Sequence, residues 1–229
     1  MHYYPIFLDI AERACLVVGG GKVGARKAKR LLEAGARVTV VSPEMDAALV
    51  ALLPHERLSL KRRTYRPEDM ADIFLVIGAT DDAGLNRQIK GDAQAAKSLC
   101  NVADRPELCD FILPAVVNQG DLAVAITTAG NSPALAKRLR RQLQSQFGPE
   151  YARLTAMLGA VRRRLLAEDH DPEGHRRAFN ALLDGDLLEM LRADDTAAID
   201  ALLKKTLGPG YGIEVLEGEG DRGDRNQMD

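Results

Sequence analysis

The stretch "CLVVGGGKVGARKAKRLLEAGARVTVV", Cys15 to Val41, restricts the fold more than any other part of the sequence. An apolar run enters a glycine turn, a helical pattern follows until Gly35, and a second apolar run comes after it. We predict a strand at Arg13 to Val18, a helix at Lys22 to Glu33 and a second strand at "RVTVV". A helix that crosses between two strands pairs them in parallel, so the chain opens with a βαβ unit.

The alternation of strands and helices continues after this unit. The patterns predict a helix over "MDAALVALL", strands at "RLSLK", "IFLVIGA" and "SLCNV", and a helix from about Ala83 to Lys97. Strands that are covered on both faces read as continuous apolar runs, as "IFLVIGA" does. We therefore predict an α/β fold, with a Rossmann-type doubly wound parallel sheet over residues 1–110.

The pattern changes after Cys109. "FILPAVV" and "LAVAITT" are joined by "NQGD", which is the spacing of a hairpin rather than of a helical crossover. Ser132 is a suitable N-cap with Pro133 at the first helical position, and this helix should run to about Phe147. We predict a small α+β unit at residues 111–148.

The remaining chain is predicted to be helical and then disordered. From Pro149 onward, apolar residues recur at steps of three and four, which indicates an amphipathic helix, and two more helical stretches follow. This helical segment should occupy residues 149–208. Residues 209–229 are rich in glycine and charge, so we expect a disordered tail there.

Composition excludes several classes of protein. The 229 residues are 46% hydrophobic and 28% charged with a net charge of -2, as in globular proteins. Basic residues are not interleaved with aromatic ones, so we expect no nucleic-acid partner. No run reaches the ~20 apolar residues of a membrane span, and the first residues lack a leader pattern, so we predict a cytoplasmic protein without a membrane partner.

The cysteines and histidines do not suggest a metal site. Cys15, Cys100 and Cys109 form no CxxC pair, which fits a reducing compartment, and each is expected to be a small buried side chain. His170 and His175 are five residues apart, which is poor spacing for one helical face. We predict no metal.

The glycine turn predicts a dinucleotide. Gly19, Gly21 and Gly24 have the spacing G-x-G-x-x-G, in which the first permits a tight turn, the second lets the backbone approach a pyrophosphate and the third lets helix and strand pack closely. Lys22 and Val23 then open a helix whose free N–H groups suit phosphate oxygens. Since Val23 stands where a P-loop needs Ser or Thr, nucleotide hydrolysis is excluded.

The end of the second strand bears on the choice of cofactor. It reads "VVSPE", where Ser42 could accept one hydrogen bond from the ribose, Pro43 follows, and Glu44 comes two residues late for that role. No arginine stands at this strand end to accommodate a 2′-phosphate. We therefore predict NAD rather than NADP.

Two later loops should face the same crevice, because open α/β sheets bind ligands at the carboxyl ends of their strands. In "ATDD", Thr80 and Asp81 are candidates for the cofactor, although Asp81 and Asp82 could instead begin the next helix. In "NVADRPELCDF", Asn101 and Val102 are further cofactor candidates. Asp104 could be either a turn residue or a site carboxylate.

Several motifs together resemble the siroheme-synthase dehydrogenase family. They are "PIFLDI", "LVVGGGKVGARKAKRLLEAGARVTVVSPE", "VIGATDD..LN", "NVADRPELCDFILPA" and "AITTAGNSPALAKRLR", which run in order from about Tyr4 to Phe147. The resemblance implies NAD-dependent oxidation of precorrin-2 to sirohydrochlorin in siroheme biosynthesis. It also implies that Asp104 is the functional carboxylate and that the chain forms a homodimer through residues 111–148.

The same resemblance gives weaker substrate candidates, namely Thr128 before "GNSP", Asn131 and Ser132 within it, and Lys137 after it. Basic residues of "KRLRR" could bind substrate carboxylates or form a solvated helix face. "NVAD" and "ITTAG" replace commoner family forms. The chain ends without room for the methyltransferase domain of the longest members, so we expect it to lack that activity.

Two alternatives remain open. The chain could also insert iron into sirohydrochlorin, or leave that step to a separate chelatase. A protein of another class, a non-catalytic NAD-sensing module, has no evident need for the "NVADRPELCDF" loop or the hairpin.

Overall fold

The computed structural model describes residues 3–168 and 171–214. The chain divides into two compact units, Met1–Leu113 and Pro114–Asp229. The strands are β1 (Ala14–Val18), β2 (Arg37–Val41), β3 (Leu58–Lys61), β4 (Leu75–Gly78), β5 (Leu99–Val102), β6 (Ala115–Gln119) and β7 (Leu122–Ile126). The α-helices are α1 (Lys22–Glu33), α2 (Ala47–Val50), α3 (Ala83–Ala96), α4 (Pro133–Gln146), α5 (Glu150–Glu168), α6 (Pro172–Asp184), α7 (Leu187–Arg192) and α8 (Thr196–Leu207).

The first unit is built on a parallel sheet with the strand order β3-β2-β1-β4-β5. The order reverses direction between β1 and β4, where Val18 is in register with Gly78. This point is where doubly wound sheets leave a crevice outside the carboxyl ends of their strands. The predicted fold class is confirmed.

Alternating residues of the strands build two cores. Val17 and Ile77 pack with α1 and α2 on one face of the sheet. Leu16 and Val76 pack with α3 on the other face. Because both faces are covered, the central strands need apolar residues at every position, which explains their continuous apolar sequence.

The second helix is shorter than its sequence pattern predicts. We expected it to cover "MDAALVALL", whereas α2 spans only Ala47–Val50 and turns follow it. The Asp46 side chain accepts a hydrogen bond from the Ala48 N–H and so fixes the start of the helix. Pro54 disfavours helical backbone at the residue before it, which limits the end.

The second unit contains the antiparallel hairpin β6-β7 and helices α4 to α8. The predicted amphipathic stripe is confirmed, since Leu154, Met157 and Val161 of α5 lie in the core of this unit. Between α5 and residue 212, three helices follow, not the two that we expected. The break between α6 and α7 contains Asp186, and the break between α7 and α8 contains Asp194. Both residues take left-handed backbone conformations, with φ of 60° and 53°.

The chain is ordered beyond the predicted end of the helical segment. Tyr211 falls in the tail that we expected to be disordered from residue 209, yet its ring is buried in the core of the second unit. Its hydroxyl donates a hydrogen bond to the Glu168 carboxylate at 2.7 Å. The rest of the predicted tail, residues 215–229, lies outside the described residues, as does His170.

None of the helices in the described ranges is both long enough and apolar enough to cross a membrane.

Candidate functional site

The glycine turn after β1 has two positions where a side chain would collide with backbone. Gly19 has φ of 114°, and a Cβ there would lie 2.2 Å from the Ala79 carbonyl oxygen. A Cβ on Gly24 would lie 1.9 Å from the Gly19 carbonyl oxygen. The first glycine therefore permits the turn and the approach of β4, and the third permits α1 to pack onto the turn.

Gly21 differs from these two glycines because a Cβ there would meet nothing within 4 Å. It is the N-cap of α1, and no side chain caps the helix start. The first turn of α1, which includes Lys22 and Val23, contains no acidic residue either. The uncapped N–H groups and the open space in front of them fit the pyrophosphate of a dinucleotide.

Gly20 also belongs to the site, although the spacing of the motif does not mark it. A Cβ there would lie 2.2 Å from the Glu44 carbonyl oxygen and 2.9 Å from the Ser42 Cβ. The Asp46 N–H donates a hydrogen bond to the Gly20 carbonyl oxygen at 2.7 Å. Three glycines in succession were the available signal, but the loop that requires the middle one is distant in sequence.

The loop after β2 therefore packs directly on the glycine turn. Ser42 is buried and its N–H donates to the Lys61 carbonyl oxygen at 3.2 Å, which extends the sheet pairing. Pro43 and Glu44 are exposed. The structure brings these three predicted cofactor residues to the edge of the turn.

The loop after β4 lies on the other side of the turn. The Thr80 backbone N is 3.2 Å from the position of a Cβ on Gly19, so Thr80 borders the crevice. Asp82 begins α3, since its Oδ1 accepts hydrogen bonds from the N–H groups of Gly84 and Leu85 at 2.7 and 3.0 Å. Asp81 is exposed beside it.

Asn86 holds this loop from behind. Its Nδ2 donates a hydrogen bond to the Thr80 carbonyl oxygen at 2.9 Å. Its Oδ1 is buried and has no hydrogen-bond partner among the described residues. A Cβ on Gly78 would lie 3.1 Å from this oxygen, so glycine is favoured at the end of β4. Asn86 is the "N" of "LN" in the sequence motif, but the motif does not predict that its side chain supports the Thr80 loop.

Asp104 lies on the loop that follows β5. Its backbone is left-handed, with φ of 58°, and the residue is exposed. Asn101 and Val102, our two cofactor candidates on β5, are buried just before it. The Asn101 Nδ2 donates a hydrogen bond to the Phe111 carbonyl oxygen at 2.9 Å, so Asn101 supports the loop.

Cys109 closes the same loop through its thiol. The Cys109 Sγ accepts a hydrogen bond from the Val102 N–H at 3.2 Å and lies 3.2 Å from the Arg105 carbonyl oxygen, to which the thiol can donate. We expected Cys109 to be a small buried side chain, whereas it is only half-buried and its thiol forms hydrogen bonds within the loop. Cys15 and Cys100 are fully buried, and burial raises the pKa of each thiol to about 11.

The substrate candidates of the second unit form the turn before α4. The Thr128 Oγ1 accepts a hydrogen bond from the Ser132 N–H at 3.0 Å. The Ser132 Oγ accepts one from the Leu135 N–H at 3.2 Å, which confirms Ser132 as the N-cap. Asn131 and Lys137 are exposed. In the described part of the chain, no group of three His, Cys, Asp or Glu side chains has the arrangement of a metal site.

Comparison with known families identifies both parts of the chain. Residues 6–115 match a family described as "Putative NAD(P)-binding", and residues 119–146 match a family described as "Sirohaem biosynthesis protein central".

Comparison with individual proteins agrees with the family matches. "Siroheme synthase" of Nitrosospira multiformis is 39% identical over 90% of this chain and 45% of its own length. "Siroheme synthase 1" of Cronobacter sakazakii is 38% identical over 97% of this chain and 48% of its own length. The chain thus spans about half the length of these curated relatives. A solved structure, "SirC, precorrin-2 dehydrogenase", superposes with a TM-score of 0.72 at 27% identity and covers 88% of this chain and 100% of its own. The chain is thus similar to siroheme synthases over most of its own length and to SirC over the whole of that protein.

Proposed function

We propose that this chain is a precorrin-2 dehydrogenase, which oxidises precorrin-2 to sirohydrochlorin with NAD in siroheme biosynthesis. The observation that carries the proposal is the similarity to SirC, which extends over 100% of that protein and 88% of this chain. SirC is a dehydrogenase by name, whereas the siroheme synthases are about twice as long as this chain.

The glycine turn fits the cofactor that the reaction needs. At Gly19, Gly20 and Gly24, neighbouring backbone atoms fill the space that a Cβ would need. At Gly21 that space is empty, so the start of the helix is open. We infer that Gly21, Lys22 and Val23 hold the pyrophosphate. Ser42, Pro43 and Glu44 would border the adenosine ribose, and Thr80 and Asp81 would border the nicotinamide side.

The chemistry requires a group that takes a proton. When bound, the nicotinamide accepts one of the two substrate hydrogens together with its electron pair. The other hydrogen leaves as a proton, and the Asp104 carboxylate accepts it. Because Asp104 is exposed, it can pass this proton on to water. Cys109 and Asn101 fix the loop that presents the carboxylate.

The preference for NAD over NADP is part of the proposal. It is supported by the end of β2, where Ser42, Pro43 and Glu44 supply no guanidinium for a 2′-phosphate. A homodimer, a cytoplasmic location and contacts of Thr128, Asn131, Ser132 and Lys137 with the tetrapyrrole remain predictions. So does the choice between iron insertion by this chain and a separate chelatase.

A spectrophotometric assay tests the proposed function. Freshly generated precorrin-2 and NAD are mixed with the protein, and NADH formation is followed together with the sirohydrochlorin absorption. We expect both signals to rise in equal amounts, and more slowly with NADP. If NAD binds but neither signal rises, the dehydrogenase assignment is wrong and the NAD-sensing alternative takes its place.

The same assay distinguishes the two metal-insertion alternatives. Iron or cobalt is added to supplied sirohydrochlorin, and the absorption of the metallated product is compared with the spontaneous rate. Insertion above that rate would make the chain bifunctional, whereas insertion at the spontaneous rate would leave this step to a separate chelatase.

A further inference from the structure

Lys27 is a charged residue on the packed side of α1. It follows Gly24 by three positions and precedes Leu31 by four, and both of these residues are buried. Lys27 itself is half-buried, whereas Arg26 and Lys29 on the same helix are exposed. The chain therefore places one ammonium at the margin of the helix face that covers the sheet.

The loop that carries Asp104 lies near this part of α1, since the charges of Asp104 and Cys109 act on Lys27. Phe111, at the end of the loop, packs on the core cluster that contains Ala28 and Leu31. Burial lowers the pKa of Lys27, with smaller contributions in the same direction from the charges of Arg26 and Arg30, while Asp104 and Cys109 act in the opposite direction. The Lys27 ammonium is therefore within electrostatic reach of the proposed proton acceptor.

Lys27 forms no direct ion pair or hydrogen bond with a described residue that would compensate for its burial. Within the described ranges, no acceptor forms a hydrogen bond with the Lys27 Nζ. No carboxylate oxygen lies within 4.0 Å of this nitrogen, which is the distance of an ion pair. Asp69 shows how this chain satisfies a charge that is purely structural, since the Arg63 guanidinium donates to both of its oxygens at 2.5 and 2.6 Å. A desolvated charge without a partner beside a functional carboxylate is typical of a ligand-binding group.

The position of Lys27 favours the substrate over the cofactor as its ligand. Gly21, where the pyrophosphate would bind, is six residues earlier on the helix, which is ~9 Å along the axis. The Asp104 loop, whose charges act on Lys27, is where the substrate must lie if Asp104 takes its proton.

We propose that Lys27 is an anion-binding residue of the active site, whose ammonium pairs with a substrate carboxylate and so orients the tetrapyrrole beside Asp104. The inference rests on the proposed function. It adds a substrate-binding residue to the helix that follows the glycine turn, which the motif assigns to the cofactor alone.

The test compares Lys27→Met, which keeps the length of the side chain but removes the charge, with Lys27→Arg, which keeps the charge. Lys29→Met is the matched control, because Lys29 is an exposed lysine of the same helix whose ion pair with Glu33 is 3.7 Å long. KM and kcat for precorrin-2, NAD affinity by calorimetry and the thermal midpoint are measured for each variant. Binding of sirohydrochlorin is measured in parallel, because it requires no turnover.

We expect Lys27→Met to raise the KM for precorrin-2 roughly ten- to hundredfold and to weaken sirohydrochlorin binding similarly. Its NAD affinity should stay within about twofold, and its thermal midpoint should equal or exceed that of the wild type, because a desolvated charge is removed. Lys27→Arg should retain most of the substrate affinity. Lys29→Met should match the wild type throughout.

A KM and a sirohydrochlorin affinity within about twofold of the wild type for Lys27→Met would overturn the inference. An equal loss of NAD affinity would also overturn it, in favour of a cofactor phosphate as the ligand, and a lower thermal midpoint would indicate a structural role. If the wild type does not oxidise precorrin-2, the proposed function fails separately. In that case, a loss of sirohydrochlorin binding in Lys27→Met would still support Lys27 as an anion-binding residue, and an absence of binding by the wild type would end both proposals.

Discussion

Asp104 combines an exposed carboxylate with a left-handed backbone, as Asp72, Asp186 and Asp194 also do in this chain. Its φ of 58° is tolerated best by glycine, asparagine and aspartate, and costs other residues about 1 kcal/mol or more. The structure therefore suggests that asparagine, rather than alanine, is the variant that isolates the chemical role of the carboxylate.

Asp104→Asn should fold, bind NAD with unchanged affinity, and oxidise precorrin-2 about 10²- to 10⁴-fold more slowly, because a general base is lost while the backbone is retained. Single-turnover NADH formation measures the rate, and calorimetry measures the NAD affinity. Asp104→Gly serves as a control for the backbone and should be equally slow. A rate close to that of the wild type would remove Asp104 from the mechanism.

Asp69 is a structural carboxylate whose charge stabilises the first unit. Its side chain is 3% exposed, and hydrogen bonds from Arg63, followed by those from the Arg66 N–H and Lys61, lower its pKa to about 2. The pKa in the unfolded chain is about 3.9, so the carboxylate stabilises the fold above that pH and the contribution is lost as pH falls through about 2.

Asp69→Asn should therefore lower the free energy of unfolding by about 2 kcal/mol at pH 7, measured by urea denaturation. The difference between variant and wild type should shrink as the pH is lowered from 5 to 2. A difference that does not change over this range would show that geometry, rather than charge, accounts for the effect.

The sequence identified some residues of the site and missed others for a physical reason. Gly19 and Gly24 are recognisable because their requirement comes from the turn itself and from the adjoining helix. Gly20 owes its role to the loop after β2, and the role proposed for Lys27 depends on the loop of Asp104, both of which are distant in sequence. Asn86 binds the Thr80 carbonyl oxygen only six residues before it, but the types of residue in this segment do not predict that hydrogen bond. No local pattern encodes such approaches.

At the scale of elements, the glycine turn and the start of α1 need glycine at two positions for different reasons. Gly24 is needed for packing, because a Cβ would lie 1.9 Å from the Gly19 carbonyl oxygen, whereas a Cβ on Gly21 would enter open space. The turn thus contains one position that supports the fold and one that borders open space, where we propose that the pyrophosphate binds.

Gly21→Ala should keep a thermal midpoint close to that of the wild type and lose NAD affinity, because the methyl group occupies the space in front of the helix start. Gly24→Ala should lower the midpoint by several degrees, as expected for overpacking of about 1–3 kcal/mol. Differential scanning calorimetry and NAD titration measure the two effects. Equal NAD affinities of wild type and Gly21→Ala would place the pyrophosphate elsewhere.

The central strands β1 and β4 were predictable because each is a continuous apolar run between turn signals. The helices after α5 were harder to predict. The breaks between these helices depend on Asp186 and Asp194 adopting a left-handed backbone. Aspartate permits this conformation but, unlike glycine, does not by itself predict it.

At the scale of the whole molecule, the chain consists of two units with separate cores, one around the sheet and one around α5 to α8. The residues that would hold the cofactor all belong to the first unit. A ligand stabilises the structure that binds it, by about 2.7 kcal/mol at a hundredfold excess over its Kd.

Saturating NAD should therefore slow hydrogen exchange most at the amides of β1 and β4, which adjoin the glycine turn. The amides of α8, in the core of the second unit, should exchange at nearly unchanged rates. Mass spectrometry of peptic fragments measures both. Equal protection of α8 would show that the two units unfold as a single cooperative structure.

The left-handed backbone at Asp104 also has a genetic consequence. One base change converts an aspartate codon into one for asparagine or glycine, and these are the residues that accept this backbone most readily. Such missense alleles would escape the quality control that removes misfolded proteins. They would accumulate at normal abundance as inactive proteins with an intact cofactor site, so expression level would be a poor guide to whether an allele is functional.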